Sequence, residues 1–227
     1  DAGAPKFETP VREDGRGNTM NRYDYCHGIT VNTLGQRFFD EGESFHSYTY
    51  AKTGRAVRGQ PGNLAYQIYD QKGIAMFRHG ASFPGTYEET NTIAELATKT
   101  GLNPEILADT VDAYNDAVAD DVPFDPSKLD GKSALGITPV KSNWAQKIDA
   151  PPYRIYPVSG GITFTFGGLA INTQSEVLNT FNQPIEGLYA SGDIIGLFYH
   201  NYPSCTGQTR NIVFSRLAGQ NAARRTK

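Results

Sequence analysis

The chain has 227 residues and a formal charge of -3, and its 38% hydrophobic, 20% charged and 11% aromatic residues are typical of a soluble globular protein. Its Lys and Arg residues are scattered, so nucleic acid is not an expected partner, and no apolar stretch approaches the ~20 residues that a membrane span needs. Two cysteines, Cys26 and Cys205, are too few for a disulfide framework. The polar amino terminus lacks a signal-peptide pattern, so the cytoplasm is the default expectation for the compartment.

The first part of the chain begins with an irregular segment. Residues 1–27 are predicted to be a connector, because the stretch up to Met20 is rich in Gly, Pro and charge and shows no hydrophobic period. Short apolar or alternating runs then predict strands at residues 29–32, 37–39 (after a Leu34-Gly35 turn) and 64–70.

Two short helices follow. Residues 92–100 lie between Asn91 and a Gly101 stop, and Asn103-Pro104-Glu105 combines an N-cap, a Pro at the first helical position and an acid in the first turn. The second helix has one continuous face made of Ile106, Leu107, Thr110, Val111, Tyr114 and Val118. The pair predicts a helical hairpin.

The last part of the chain is predicted to be rich in strands. Residues 122–152 contain many Pro, Asp, Lys and Ser residues and predict a long loop that joins two structural regions. Strands are predicted after it at residues 153–158, 161–166, 169–172 and 187–190, and a final helix from Thr206 to about Ala223.

Residues 187–223 carry the strongest chemical signal. A short strand leads into Ser191-Gly192-Asp193, an aromatic loop follows, and the small residues 203–207 stand where a helix must start. A helix start presents backbone N–H groups and a positive dipole end, so an anionic or electron-rich group is a suitable ligand. A flavin is a candidate, because its N1–C2=O edge gains negative charge on reduction. An ordinary strand–loop–helix unit with a tight packing face explains the pattern equally well.

These residues resemble the fumarate reductase/succinate dehydrogenase flavoprotein superfamily. That family has a G-L-Y-A-x-G-[DE] strand before the helix that holds the isoalloxazine ring, here residues 187–193, and a T-x-G-G turn, here residues 165–168. Within it the chain is most similar to tricarballylate dehydrogenase-like flavoproteins, through five ordered segments: residues 40–42, 48–52, 141–145, 161–168 and 199–203. The Tyr202-Pro203 step also resembles the 3-ketosteroid dehydrogenases.

The resemblance implies an α+β fold. Residues 28–150 would form a substrate-capping domain with a mixed small sheet and the helical hairpin, and residues 151–227 the strand-rich C-terminal segment of an FAD-binding domain. The N-terminal Rossmann half, with its G-x-G-x-x-G turn, would be missing, because Gly15-Arg16-Gly17 has Met20 in place of the third Gly. The chain would then be a fragment that binds FAD weakly or not at all by itself.

The implied reaction moves a hydride between flavin N5 and a C–C bond of a small carboxylic acid or a carbonyl-activated substrate. A cap over the flavin would exclude water, and an electron donor or acceptor protein is compatible with this chemistry. The catalytic candidates are Tyr48, His200, Tyr202, His46 and Arg55. The expected substrate-binding residues are Thr165, Gly167 and Arg210. The expected cofactor-binding residues are Gly192, Asp193, Tyr202, Pro203, Ser204, Cys205, Thr206 and Gly207.

Some residues depart from the family pattern. Phe164 replaces the His before the glycine turn, Tyr202 replaces an Arg that clamps the substrate carboxylate, and the proton-donating Arg falls near Phe45 and His46. These departures argue against fumarate itself as the substrate.

Plainer interpretations stay open for several candidates. Tyr48 and Tyr50 alternate as half-buried strand residues would, His46 and His79 fit an exposed surface, and Arg210 fits a surface ion pair. Cys205 with His200 as its base would be a thiol site, although nothing else supports one, and no metal-ligand spacing is present. The chain as a whole could be a non-catalytic, cap-like interaction domain or an inactive fragment.

Overall fold

In the computed structural model, residues 23–77, 87–160, 166–198 and 205–225 are described. The chain divides into two compact units, Asp1–Gly160 and Gly161–Lys227.

A four-stranded sheet organises the first unit. Its strands are β1 (Ile29–Asn32), β2 (Ala65–Tyr69), β3 (Glu88–Thr90) and β4 (Tyr153–Val158), in the order β1-β2-β4-β3. Every pairing is antiparallel, so the sheet is not mixed as predicted. Strand β4 lies between β2 and β3, so residues 153–158 belong to the first unit. The boundary between the two units lies at residue 160, ten residues later than the predicted boundary at residue 150.

The sheet is covered on both faces, and β2 is therefore buried throughout. Tyr66 and Ile68 face the main core, which is completed by Leu96, Leu107, Val111 and Tyr114 of two helices. Tyr69 faces a smaller cluster with Ile74, Phe77 and Tyr156.

The predicted helical hairpin is confirmed as α3 (Ile93–Thr100) and α4 (Pro104–Ala117), which are numbered after α1 (His46–Arg58) and α2 (Gln71–Ala75). Thr92, not Asn91, caps α3 by accepting from the Glu95 amide, and Gly101 ends it. Asn103 caps α4 through the amides of Glu105 and Ile106. Of the predicted α4 face, Ile106 is 39% exposed and lies outside the core.

Residues 46–58 form the helix α1, which excludes the alternative that Tyr48 and Tyr50 alternate along a strand. Its buried positions are Thr49, Thr53 and Val57, one every four residues, as a helix face requires. Because two of the three are threonine, the buried stripe has no apolar signal in the sequence. The Thr49 hydroxyl is instead bonded to the buried Tyr25 hydroxyl at 2.6 Å.

The long segment from residue 122 to residue 152 is held by polar contacts to backbone rather than by helices or strands. Ala134 makes isolated bridges to Val118 and Lys141. The Trp144 indole N–H donates to the Asp125 and Lys128 carbonyls at 3.1 and 2.9 Å. The indole ring is buried in a small cluster with Tyr25 and Cys26, so it attaches this loop to the start of the first unit.

A buried group of charged residues connects the first strand with this loop. Arg37 and Glu41 form an ion pair whose side chains are 4% and 0% exposed. Glu41 also accepts the Thr30 amide of β1 at 2.7 Å, and Arg37 donates to the Pro139 carbonyl at 2.7 Å. Lys141 donates to the Gly28 carbonyl at 2.7 Å. We call Arg37, Glu41 and Lys141 the buried charge cluster.

The second unit contains a hairpin and one long helix. Strands β5 (Glu176–Leu178) and β6 (Pro184–Tyr189) pair antiparallel, and α5 runs over Thr206–Arg225. The strand predicted at 187–190 lies partly in β6, β5 was not predicted, and residues 169–172 form only isolated bridges. No helix in the described residues is both long and apolar enough to cross a membrane.

We expect Glu41→Gln to destabilise the first unit by about 3–5 kcal/mol, because it leaves buried cations without their counter-charge. Glu43→Gln is the matched control, since Glu43 pairs with Lys52 on the surface, where both side chains are about half exposed. That exposed pair is worth about 0–1 kcal/mol. Urea unfolding followed by circular dichroism measures both, and equal losses would contradict the assignment of the cluster.

Candidate functional site

The predicted flavin-binding residues that the structure describes belong to the second unit. Strand β6 leads through Ser191 into a 3-10 turn, Gly192–Ile194, and the chain then forms a bridge from Ile195 to Leu169. The helix α5 starts at Thr206. We call residues 192–198 together with 205–207 the flavin segment.

Arg210, in the second turn of α5, joins the two parts of the flavin segment. Its side chain is 4% exposed, and its guanidinium pairs with the Asp193 carboxylate and donates to the Ile195 carbonyl at 3.1 Å. It also lies over the Phe198 ring, 4.9 Å from the centroid. The guanidinium of Arg210 is thus held by other residues of the second unit. These contacts support neither the expected pairing of Arg210 with a substrate carboxylate nor an ion pair at the surface.

The turn at Gly192 has room for a ligand. Gly192 has a φ of +83°, which favours glycine, and a Cβ added there would meet nothing within 4 Å. The neighbouring Asp193 carboxylate is 56% exposed and can accept hydrogen bonds from hydroxyl groups. A 20-residue helix that starts nearby in sequence, with Gly207 in its first turn, supplies a positive dipole end. These residues fit a flavin nucleotide, which combines hydroxyl groups with a ring whose N1–C2=O edge gains negative charge on reduction.

Several predicted site residues lie outside the described part of the chain: Thr165, His200, Tyr202, Pro203 and Ser204. Of the others, the Gly167 amide donates to the Phe198 carbonyl at 3.1 Å, which attaches it to the flavin segment. Cys205 is an exposed thiol. The described residues contain no cluster of His, Cys, Asp or Glu that could hold a metal ion.

The three catalytic candidates of the first unit all lie on α1. His46 is its first residue, while Tyr48 and Arg55 are seven positions apart and therefore two turns apart on one exposed face. Lys52 lies between them on that face and pairs with Glu43. We call Tyr48, Lys52 and Arg55 the α1 outer face. Lys52 was missed, and its spacing from Tyr48 and Arg55 becomes visible only once the segment is known to be helical.

Two of the segments that resemble tricarballylate dehydrogenase-like flavoproteins, residues 40–42 and 141–145, are hydrogen-bonded to each other. The Asp40 carboxylate accepts the amides of Gly42 and Ser142 at 2.8 and 3.0 Å, and the Asn143 amide group donates to the Gly42 carbonyl at 2.8 Å. A Cβ at Gly42 would collide with the Asn143 backbone. Residues 40–42 and 141–145 therefore maintain the fold.

Sequence comparison identifies the family. A sequence profile of the FAD binding domain matches residues 11–208. The chain belongs to this FAD-binding family. The match includes β6 and the flavin segment and ends at residue 208, two residues before Arg210.

The chain resembles parts of larger oxidoreductases. It is 35% identical over 202 residues to a probable fumarate reductase of Shewanella frigidimarina, covering 86% of this chain and 31% of that protein. The open conformation of a flavocytochrome c3 fumarate reductase has a TM-score of 0.67 at 27% identity, over 93% of this chain and 35% of that one. A 3-ketosteroid-delta4-(5alpha)-dehydrogenase from Rhodococcus jostii has a TM-score of 0.62 at 27% identity, over 88% of this chain and 39% of that one. The chain thus spans roughly a third of the length of these relatives.

Burial shifts the pKa of two neighbouring residues in the first unit, Lys141 and Tyr114. Burial lowers the pKa of Lys141 to about 8, although the nearby Glu41 carboxylate opposes the change. Burial, together with Glu41, raises the pKa of Tyr114, whose ring lies 5.8 Å from the Lys141 ammonium. The lysine therefore loses its proton more readily in the folded chain, and the tyrosine less readily.

We expect stability to respond to pH through Lys141 between about pH 8 and pH 10. The folded chain releases the lysine proton at about pH 8 and the unfolded chain at its ordinary higher pKa, so the free energy of unfolding rises by up to about 1.4 kcal/mol per pH unit over that window. Lys141→Met removes this rise, whereas Lys147→Met, which alters an exposed pair with Asp120, keeps it. Urea unfolding at a series of pH values measures the slope, and a slope unchanged in Lys141→Met would refute the assignment.

Proposed function

We propose that the chain is part of an FAD-dependent oxidoreductase that moves a hydride between flavin N5 and a C–C bond next to a carboxylate or carbonyl group. The observation that carries the proposal is the flavin segment, where an open glycine turn, an exposed carboxylate and the start of a long helix lie within the family's matched range. When bound, FAD supplies the two-electron chemistry.

The residues of the second unit would bind and orient the cofactor. The Asp193 carboxylate accepts hydrogen bonds from cofactor hydroxyl groups, and the small residues Gly192 and Gly207 allow close approach. The start of α5, with Cys205 and Thr206, stabilises negative charge through the helix dipole. By the family resemblance, Tyr202, Pro203 and Ser204 join this group, and Thr165 and Gly167 contact the substrate.

The residues of the first unit would recognise the substrate. Arg55 can bind a carboxylate with two parallel hydrogen bonds, and Lys52 adds a second cation on the same α1 outer face. Two cations suit a substrate with more than one carboxylate, which agrees with the proposed closeness to tricarballylate dehydrogenases. Tyr48, His46, His200 and Tyr202 are the candidates for holding or moving the substrate proton at a phenol oxygen or an imidazole nitrogen.

A second candidate substrate is a ketosteroid. The Tyr202-Pro203 step and the likeness to the Rhodococcus jostii enzyme favour it, because a Tyr hydroxyl can polarise a carbonyl oxygen. The cationic α1 outer face favours the carboxylate, since an uncharged steroid gains nothing from Lys52 and Arg55.

Cofactor affinity should be low for this chain alone. Its sequence contains no G-x-G-x-x-G turn to hold the ADP pyrophosphate, so we propose that FAD binds this chain weakly or not at all without a dinucleotide-binding region. The competing proposal is a non-catalytic, cap-like interaction domain. We expect a protein that donates or accepts electrons as a partner only if the chain is part of an enzyme.

We expect the complete protein that carries this chain to release FAD on denaturation and to oxidise a reduced dye when an α,β-unsaturated di- or tricarboxylate is added. Fumarate and an unsaturated tricarboxylate tested with reduced dye, and a saturated 3-ketosteroid tested with oxidised dye, separate the substrate classes. The chain alone, tested with and without a separately produced dinucleotide-binding region, tests the affinity. A complete protein that binds no flavin would exclude the enzyme and favour the interaction domain.

We expect Arg55→Met to raise KM for a carboxylate substrate by roughly tenfold or more, the loss of a charge-assisted hydrogen bond of about 1.5–3 kcal/mol, with a smaller effect on kcat. Lys52→Met should have a similar but weaker effect. Lys128→Met is the control, because Lys128 is also exposed and paired with a carboxylate, but lies on the long loop. Equal KM values in all three variants would remove the α1 outer face from substrate binding.

A further inference from the structure

Arg210 makes contacts that the proposed function does not use. Its guanidinium binds Asp193, Ile195 and Phe198, which come from three positions of the stretch that follows β6. The arginine itself belongs to α5, which follows the flavin segment in the chain. One side chain therefore fixes the Gly192 turn against the start of the helix.

The α5 helix does not depend on Arg210 for its attachment. The Ser175 hydroxyl donates to the Phe214 carbonyl at 3.1 Å, and the Asn221 amide group donates to the Gln174 carbonyl at 3.0 Å. Ser215 and Ser191 are joined through their hydroxyl groups at 2.9 Å. Loss of Arg210 should thus leave the helix in place and affect the flavin segment locally.

The charges differ in burial. The Arg210 side chain is 4% exposed, whereas the Asp193 side chain is 56% exposed and can reach a ligand. A buried guanidinium retains much of its electrostatic influence on that carboxylate, because little water screens it. Arg210 is then suited to orient Asp193 and to balance its negative charge.

We propose that Arg210 is a positioning residue for FAD, which holds the Asp193 carboxylate in its cofactor-binding orientation and neutralises its charge next to the cofactor. This inference rests on the proposed function and adds a residue whose effect on FAD is indirect. It also gives Arg210 a role other than the clamping of a substrate carboxylate.

The test compares two substitutions in the complete protein that carries this chain. Arg210→Leu removes a positive charge and Asp193→Asn removes a negative one, and both break the same ion pair. We expect both to weaken FAD binding, Arg210→Leu by about tenfold or more, because a partner is left without its counter-charge. The flavin midpoint potential should fall in Arg210→Leu and rise in Asp193→Asn, since negative charge near the cofactor disfavours its reduction.

Two further variants sharpen the comparison. Arg225→Leu is the matched control, because Arg225 also joins α5 to a carboxylate, that of Glu186 in β6, but these side chains are 41% and 83% exposed. It should leave FAD affinity and potential unchanged. Arg210→Lys retains the charge but cannot bind Asp193, Ile195 and Phe198 together, so it should restore the potential and only part of the affinity.

FAD titration by fluorescence gives the affinities, dye equilibration gives the potentials, and thermal unfolding of the apoprotein gives the stability. If Arg210→Leu does not fold, the flavin midpoint potentials of Asp193→Asn and Arg210→Lys test the role of Arg210. Potentials that shift in the same direction in Arg210→Leu and Asp193→Asn, or that do not shift in any variant, would overturn the role of Arg210. A wild-type protein that binds no FAD would instead overturn the proposed function.

Discussion

The buried ion pair between Arg37 and Glu41 is the constraint on which the first unit depends. Glu41 takes hydrogen bonds from the guanidinium and from the Thr30 amide of β1, so the first strand is fixed to the loop that follows it. Arg37 reaches the carbonyls of Pro139 and Val140, and Lys141 reaches Gly28, so the same loop is fixed to a segment a hundred residues later. An apolar core alone would allow packed segments to shift relative to one another, whereas buried charges must meet their partners at defined positions.

The sequence predicts the parts of the fold whose causes are local. The bounds of β1 and β4, the end of α3 at Gly101 and the cap of α4 agree with the structure, because alternation, Gly101 and Asn103-Pro104 act within a few residues of themselves. Helix α1 was missed because Thr49 and Thr53 fill its buried face. The partners of Arg37 and Arg210 could not be predicted either, since their contacts join positions that are distant in sequence or that fit several roles equally well.

The prediction of the candidate site from the sequence has the same limit, because it also depends on contacts between separate segments. The motif around Gly192 and Asp193 pointed to the FAD family, which the sequence profile confirms. Lys52 was not recognised as a neighbour of Tyr48 and Arg55, because the sequence did not predict the helix α1. Arg210 was chosen for its charge alone, and only the positions of Asp193, Ile195 and Phe198 around it indicate what that charge is used for.

The position of β4 in the sheet has a consequence for how the chain reaches its fold. Strand β3 pairs only with β4 among the described strands, and β2 gains its second neighbour from β4 as well. The sheet therefore cannot be completed until residues 153–158 pair with β2 and β3. This pairing must close the long stretch of chain between β2 and β4, which makes it slow. Until then β2, whose five residues are all buried in the native state, has an open apolar edge. A chain that ends before residue 153 would keep that edge permanently and would tend to aggregate through it.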